Sequence, residues 1–136
     1  MIVISKSGVV VQLFPRNRKT KKIKNHIGVY AIVNAVNNKV FIGSGELENR
    51  KATQWSLLNA GKHYNKRLQQ EWNHFKAENF RFVTLFEAKT NEDLDFLQQC
   101  EEYWITYTMA TDKKYGYNIY KKSSLSHEFR LKIQPI

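Results

Sequence analysis

The sequence predicts a single α+β domain in which a small mixed or antiparallel β-sheet is flanked by helices. Three observations predict this class: a length of 136 residues, short apolar runs that end at turn residues, and stretches of helical periodicity between and after them. With 42% hydrophobic and 25% charged residues, the chain has the composition of a compact globular protein. Folding at this size buries about two-thirds of the surface that the unfolded chain exposes, so the core can hold the fold without disulfides or a structural metal.

Five segments with β-branched or apolar composition are predicted as strands: residues 8–14, 27–34, 39–43, 80–88 and 116–118. The first segment ends at Pro15. Residues 27–34 (IGVYAIVN) are apolar on both alternating faces, which is typical of a central strand covered on both sides. The turn residues Asn37-Asn38 join this strand to the next one in a hairpin.

Three segments are predicted as helices: residues 50–60, 65–75 and 91–108. The first has an apolar stripe and ends at Gly61. Asn65 is the predicted N-cap of the second helix and Asn91 that of the third, where acidic residues fill the first turn. The stripe of the first helix consists of Ala52, Trp55, Leu57 and Leu58.

A single cysteine, Cys100, excludes a disulfide framework and favours a reducing, cytoplasmic location. No apolar run approaches the roughly 18 residues of a membrane span, and residues 1–14 lack the layout of a signal peptide. We therefore expect a soluble protein with no membrane partner.

The net charge of +10 is concentrated at the two ends of the chain. Residues 1–26 carry seven basic and no acidic side chains and residues 113–136 six basic and one acidic, whereas residues 27–112 carry nine basic and eleven acidic. Lysine and arginine side chains that neutralise phosphates release counterions and drive salt-dependent binding to nucleic acids. A solvated basic loop is the alternative, and an anionic membrane surface is a weaker candidate because no amphipathic helix carries the charge. The predicted nucleic-acid contacts are Arg16, Arg18, Lys19, Lys21, Lys22, Lys24, Lys62 and Lys66.

Glu101 lies in the middle of the apolar stripe of the third helix. At about 100° per residue it projects between Leu97 and Ile105, while Glu102 rotates toward solvent. Burying an ionised carboxylate costs several kcal/mol unless a cation or hydrogen-bond donors compensate it. The partner is either a divalent metal ion, for which carboxylate oxygen is a preferred ligand, or an arginine such as Arg50. The alternatives are a structural ion pair and a glutamate at the rim of the stripe that reaches water.

Two tripeptides, Gly28-Val29-Tyr30 and Phe41-Ile42-Gly43, are followed by further motifs in a fixed order. Together the motifs resemble the GIY-YIG nuclease superfamily over roughly residues 27–120, and most closely its phage and bacterial members of the homing-endonuclease type. The resemblance implies a nuclease fold, DNA as the partner and hydrolysis of phosphodiester bonds. The further motifs are Ser44, Arg50, GKHYN at 61–65, LQ..WN at 68–73, FRF at 80–82, EEYWI at 101–105 and GYN at 116–118.

The resemblance also implies a role for each matching residue. Glu101 matches the metal-binding carboxylate, which is the residue that the helix phase singles out independently. Tyr30 matches a tyrosine near the attacking water, and Arg50 matches an arginine on the scissile phosphate. Asn118 matches an asparagine that closes the site, and His63 a histidine that relays a proton or contacts the phosphate. Such a set is sufficient for hydrolysis without a covalent intermediate.

Each of these residues also has an ordinary structural interpretation. Tyr30 is compatible with simple packing in a two-sided strand, and Arg50 with a solvated position at the start of a helix. His63 and Asn118 are compatible with exposed or turn positions.

Two residues depart from the family pattern. Phe41 stands where the family has a tyrosine, so a hydroxyl that would bind water or phosphate is missing. Gln54 stands where homing-type members usually have histidine or tyrosine, and an amide cannot shuttle a proton near neutral pH. These departures support an alternative, a catalytically impaired module of the nuclease fold that binds DNA without cutting it.

Three segments are expected: residues 1–26 as a strand plus basic loop of the same unit, residues 27–120 as the nuclease domain, and residues 121–136 as a short basic tail. Homing members usually begin near the first motif and continue into a long DNA-reading arm, so target recognition is expected from the body, a second subunit or a region outside this chain. We expect the basic loop to position DNA over Glu101 without reading bases. The resemblance thus implies an endonuclease for double-stranded DNA that uses Mg²⁺, or another divalent cation such as Mn²⁺, in a bacterial or phage-infected cell.

Overall fold

The computed structural model describes residues 2–4, 10–12 and 22–119, which form an α+β arrangement as the sequence predicts. The strands are β1 (Ile2–Ile4), β2 (Val10–Gln12), β3 (Ile27–Asn34), β4 (Val40–Glu46) and β5 (Phe80–Glu87). The helices are α1 (Leu47–Asn59), α2 (Lys66–Phe75), α3 (Asn91–Asp95) and α4 (Leu97–Thr108), with a 3₁₀ turn at Ala77–Asn79. Within this described part, no helix is both long and apolar enough to cross a membrane.

β3 is the centre of a three-stranded antiparallel sheet with the order β4-β3-β5, and β1 and β2 pair separately. Tyr30 lies opposite Gly43 of β4, and a bulge between Val29 and Tyr30 shifts the register with β5. A Cβ atom at Gly28 would collide with the backbone carbonyl of Phe86. Glycine is therefore required beside the bulge for the two strands to pair.

The two faces of β3 are buried against different helices, which confirms the prediction of a central strand covered on both sides. Val29 and Ala31 belong to a hydrophobic cluster with residues of α4, such as Tyr103. Tyr30 and Ile32 belong to a second cluster with residues of α1 and α2. Because successive side chains of a strand point to opposite faces, one strand builds both cores.

The ends of α1 and α2 follow the predicted signals. The Asn65 side chain accepts a hydrogen bond from the backbone N–H of Leu68 at 3.0 Å, which caps α2. Gly61 adopts φ +71° directly after the C-cap of α1. α1 starts at Leu47, however, so Arg50 is its fourth residue. Ala52 is exposed, which contradicts its predicted place in the apolar stripe, because Leu47 and Leu58 set the buried face instead.

Two further predictions are wrong in detail. Thr90, not Asn91, caps the third predicted helix, because the Thr90 hydroxyl and the Asp93 carboxylate each accept a hydrogen bond from the other's backbone. That helix is also interrupted at Phe96, where the backbone leaves helical geometry and the side chain packs against the core. Residues 116–118 form no strand; Gly116 makes a single parallel bridge to Val40.

Residues 10–12 of the predicted strand at 8–14 are in β2, whose partner β1 was not predicted from the sequence. The remainder of that prediction lies outside the described residues, as does the tail at 121–136. The basic residues Arg16, Arg18, Lys19 and Lys21 also lie outside them.

Candidate active site

A cleft of about 750 Å³ opens beside β4, between α1 and α4. Five of the predicted site positions come together in its lining, although each comes from a different element or segment of the chain: Tyr30, Phe41, Arg50, Glu101 and Asn118. His63 does not line the cleft and is buried behind Gln54.

Tyr30 reaches the cleft because its cross-strand neighbour is glycine. A Cβ atom at Gly43 would lie 2.6 Å from Cζ of Tyr30, so the phenol ring passes directly over the Gly43 backbone. The ring is 2% exposed and stacks on Phe82 with centroids 4.7 Å apart. Burial raises the pKa of Tyr30 to about 12, so near neutral pH its hydroxyl is a proton-bearing group that can both donate and accept.

A chain of hydrogen bonds fixes the Tyr30 hydroxyl from behind. The Gln54 amide Nε2 donates to Tyr30 Oη at 3.0 Å, and the Gln54 carbonyl oxygen bonds to Nε2 of His63. The other ring nitrogen of His63, Nδ1, accepts from the backbone N–H of Asn65 at 3.0 Å. Since Nδ1 must be unprotonated to accept, Nε2 carries the proton and donates to Gln54, which in turn sets the direction of the amide.

His63 is therefore a supporting residue in this structure. It is 6% exposed, and both of its ring nitrogens are engaged within the protein. Burial lowers its pKa below 6.5, which keeps the ring neutral near pH 7. The predicted phosphate contact does not fit this placement, because neither ring nitrogen is available in the cleft.

Gln54 is the residue that sequence reasoning undervalued, having noted it only as a departure from the family pattern. It is 3% exposed and links Tyr30 to His63. Its spacing of four residues after Arg50 was an available clue, since residues i and i+4 share one face of a helix and both line the cleft.

Aromatic rings cover the base of the cleft near His63. Phe41 meets the His63 ring edge-on at 5.7 Å, and Tyr64 stacks on His63 at 4.3 Å. Phe41 is 6% exposed, so its ring contributes to the core that holds the chain of hydrogen bonds.

Asn118 closes one end of the cleft by pairing with β4. Its Oδ1 accepts from the Ile42 backbone N–H at 2.8 Å, and its Nδ2 donates to the Ile42 carbonyl at 3.0 Å. Arg67 of α2 donates to the carbonyls of Gly116 and Asn118 and holds this segment in place. The side-chain oxygen and nitrogen of Asn118 therefore both bind the backbone of β4.

Arg50 offers a cation to the cleft. A Cβ atom at Gly45 would lie 2.6 Å from Nε of Arg50, so the guanidinium group lies over the Gly45 backbone. Gly45 also has φ +143°, which other residues rarely adopt. Within residues 22–119, Arg50 forms no ion pair with a carboxylate, so the predicted Arg50–Glu101 pair is not formed.

Glu101 points into the cleft and is half-buried, as its helix phase predicts. Its carboxylate accepts a hydrogen bond from the Ser44 hydroxyl. Ser44 follows Gly43 in β4, the residue over which the Tyr30 ring lies. Glu102 lines the cleft as well and is half-buried, which contradicts its predicted orientation toward solvent. The most buried residues of α4 are Cys100, Tyr103 and Trp104. The prediction that Glu101 lies in the middle of the apolar stripe is therefore wrong: it lies at the rim of the stripe, where the stripe meets the cleft.

Glu101 and Ser44 provide one carboxylate and one hydroxyl oxygen on an accessible surface. No cluster of three or more His, Cys, Asp or Glu side chains within the described residues could hold a metal ion by itself. The donor set nevertheless fits Mg²⁺, which keeps several water ligands and is commonly held by one or two carboxylates together with substrate phosphates.

The four predicted DNA-contacting lysines that the structure describes lie in two places. Lys62 and Lys66 are exposed and flank Tyr64 and Asn65, both of which line the cleft. Lys22 and Lys24 are exposed but do not line it, and Lys22 bridges to Thr90 beyond the end of β5.

The fold has solved counterparts. The catalytic domain of homing endonuclease I-TevI is 31% identical to this chain, with a TM-score of 0.60 over 70% of this chain and 99% of its own. A mutant of the catalytic domain of intron endonuclease I-TevI, with alanine in place of one glutamate, is 29% identical, with a TM-score of 0.61 over 72% and 97%. No family model and no curated protein matches the chain.

Proposed function

The chain belongs to the GIY-YIG nuclease family, and on that premise we propose that it is a metal-dependent endonuclease that hydrolyses phosphodiester bonds in double-stranded DNA. The observation that carries the proposal is the convergence of Tyr30, Arg50 and Glu101 on one cleft. These residues supply a hydroxyl, a cation and a carboxylate, which are the groups that phosphodiester hydrolysis needs.

In the proposed reaction, a water oxygen bonds to phosphorus, the bond from phosphorus to one bridging oxygen breaks, and that oxygen leaves with a proton. The Tyr30 hydroxyl accepts from Gln54, so its own proton is free to point into the cleft toward the attacking water or a phosphate oxygen. Near neutral pH it orients these groups and does not remove a proton, because its pKa is about 12. The Arg50 guanidinium binds the non-bridging oxygens of the scissile phosphate.

Glu101 is the proposed ligand of Mg²⁺, or of another divalent cation such as Mn²⁺, and Ser44 orients its carboxylate. A bound divalent ion would stabilise negative charge on the phosphate and on the leaving oxygen. Lys62 and Lys66 flank the cleft and are proposed to contact neighbouring phosphates, together with the basic segment at 16–24. We place the protein in the cytoplasm of a bacterial or phage-infected cell, with a role like that of homing endonucleases.

A second candidate function is DNA binding without cleavage. The observation that favours it is Phe41, which lines the cleft with a ring that lacks the family hydroxyl. In that case Arg50 and the exposed lysines would hold DNA, but the water would not be oriented well enough to react.

A plasmid-nicking assay with Mg²⁺ and with EDTA separates the two functions. We expect nicking by the wild type that depends on the metal, and a loss of about 100-fold or more in Glu101→Gln, because the amide keeps the shape of the side chain but loses the anionic oxygens. Glu78→Gln is the matched control, since Glu78 is exposed and lies outside the cleft lining.

The results have distinct meanings. Cutting by wild type that Glu101→Gln does not reduce would refute the proposed metal site. The second candidate would be established if the wild type binds the plasmid without nicking it and the Phe41→Tyr variant nicks it.

A further inference from the structure

One face of the Tyr64 ring has no role in the fold. Tyr64 is 63% exposed and lines the cleft. Its ring stacks on His63 with an interplanar angle of 25° and contacts Phe41 edge-on at 6.1 Å. Because His63 is held at both ring nitrogens, Tyr64 rests on a fixed partner and presents its opposite face to solvent.

The surroundings of that face are those of a nucleic-acid surface. Exposed Lys62 and Lys66 flank Tyr64 in the chain, and the cleft also contains Arg50. The cleft lining also carries three acidic side chains, so the positive charge near Tyr64 comes from these two lysines and Arg50. A fixed, exposed aromatic ring flanked by lysines is an arrangement with which proteins bind unstacked bases, since every base has a face that can stack.

Two other side chains at the cleft are apolar and exposed. Met109 is 50% exposed and Ile119 65% exposed, and both line the cleft. Met109 has φ 57°, a left-handed backbone position at the end of α4 where glycine is favoured and a side chain is retained at a cost in stability. Contact with phosphates alone would call for cations and hydrogen-bond donors at these positions, whereas apolar groups suit the faces of bases and sugars.

We propose that Tyr64 is a stacking platform for a single DNA base that has left the helical stack next to the scissile phosphate. This inference rests on the proposed function and specifies the substrate: DNA with an unpaired nucleotide, or with a step that unstacks readily, at the cleavage position. Removal of an aromatic ring that stacks on one base weakens binding by about 5- to 150-fold.

The test compares two duplexes of the same sequence, one fully paired and one with a single unpaired nucleotide at its centre. Binding is measured by fluorescence anisotropy in EDTA, so that no DNA is cut. We expect the wild type to bind the duplex with the unpaired nucleotide about tenfold more tightly. Tyr64→Phe should keep this preference because the ring remains, whereas Tyr64→Ser and Tyr64→Leu should lose it and still bind paired DNA.

Tyr107→Ser is the matched control. Tyr107 is 44% exposed and stacks on Tyr103 with centroids 5.7 Å apart, but it does not line the cleft. The preference should therefore survive in this variant.

The outcomes separate this inference from the proposed function. If the wild type binds both duplexes equally, or if Tyr64→Ser and Tyr64→Leu keep the preference, the platform is refuted and the nuclease proposal stands. If the wild type binds neither duplex in EDTA, the platform is refuted, and the nicking assay with Mg²⁺ decides the nuclease proposal separately.

Discussion

The two walls of the cleft differ in how far the protein uses their polar groups. The wall beside α1 ties Tyr30, Gln54 and His63 into one chain of hydrogen bonds, which ends on the backbone N–H of Asn65. On the α4 wall, the hydrogen bond to the Glu101 carboxylate within the described residues comes from Ser44. A carboxylate has about four acceptor sites, so Glu101 keeps capacity for a ligand.

The difference assigns separate tasks to the two walls. The side chains of the α1 wall cannot move without breaking several hydrogen bonds within the protein, so this wall holds the Tyr30 hydroxyl in a fixed orientation. Glu101, which has acceptor sites to spare, can instead bind a cation, and Arg50 in the same cleft can bind a phosphate. Breaking the first wall should disturb geometry, whereas breaking the second should remove binding groups without changing the fold.

Gly43→Ala should disrupt the α1 wall most strongly. The new methyl group would overlap the Tyr30 ring, so we expect the ring to leave the cleft, nicking to fall about 100-fold or more and stability to drop by about 1–3 kcal/mol. Gly61→Ala is the control: it is strained by φ +71° but has no atom within 4 Å of the new Cβ, so it should lose about 1 kcal/mol and keep its activity. Chemical denaturation and nicking rates measure both effects, and equal loss of activity in the two variants would contradict this account.

Gln54→Leu should break the same wall more gently. It leaves His63 Nε2–H and the Tyr30 hydroxyl without their common partner, so we expect a stability loss of about 1–3 kcal/mol and nicking reduced by about 10- to 100-fold. Gln70→Leu, on the exposed surface of α2, is the matched control and should change neither quantity appreciably. Normal nicking by folded Gln54→Leu would show that the hydrogen-bond chain does not orient Tyr30.

The two histidines His26 and His63 should respond to pH in opposite directions. A hydrogen bond to Glu87 raises the pKa of His26 above 6.5, so its stabilising effect is complete below pH 6.5 and is lost as the pH rises through the higher value. Burial lowers the pKa of His63, so its contribution is present above pH 6.5 and is lost as the pH falls toward the lower value.

Titration of the histidine ring signals by NMR measures both pKa values directly. We expect the His63 midpoint below 6.5, with the Nε2–H tautomer on the neutral side, and the His26 midpoint above 6.5. A His63 midpoint at or above 6.5 would mean that the ring is not held in the dry, hydrogen-bonded position that orients Gln54.

Sequence reasoning succeeded at several positions where neighbouring residues in the chain decide the structure. The two apolar faces of residues 27–34, the Asn65 cap and the orientation of Glu101 all follow from periodicity and capping. It failed at Thr90, where a reciprocal cap rather than Asn91 starts α3, and at Phe96, whose side chain packs against the core and separates α3 from α4.

The sequence by itself thus determined β3, β4, β5, α1 and α2 to within a few residues at their ends, together with the two buried faces of β3 and the acid that enters the cleft, because these depend on contacts within a few residues. Only the tertiary structure decided which polar groups meet. Asn118 pairs with Ile42 across 76 positions, and Gln54 contacts Tyr30 across 24. Hydrogen bonds are short and directional, so a partner is set by the three-dimensional path of the chain, which no local pattern specifies.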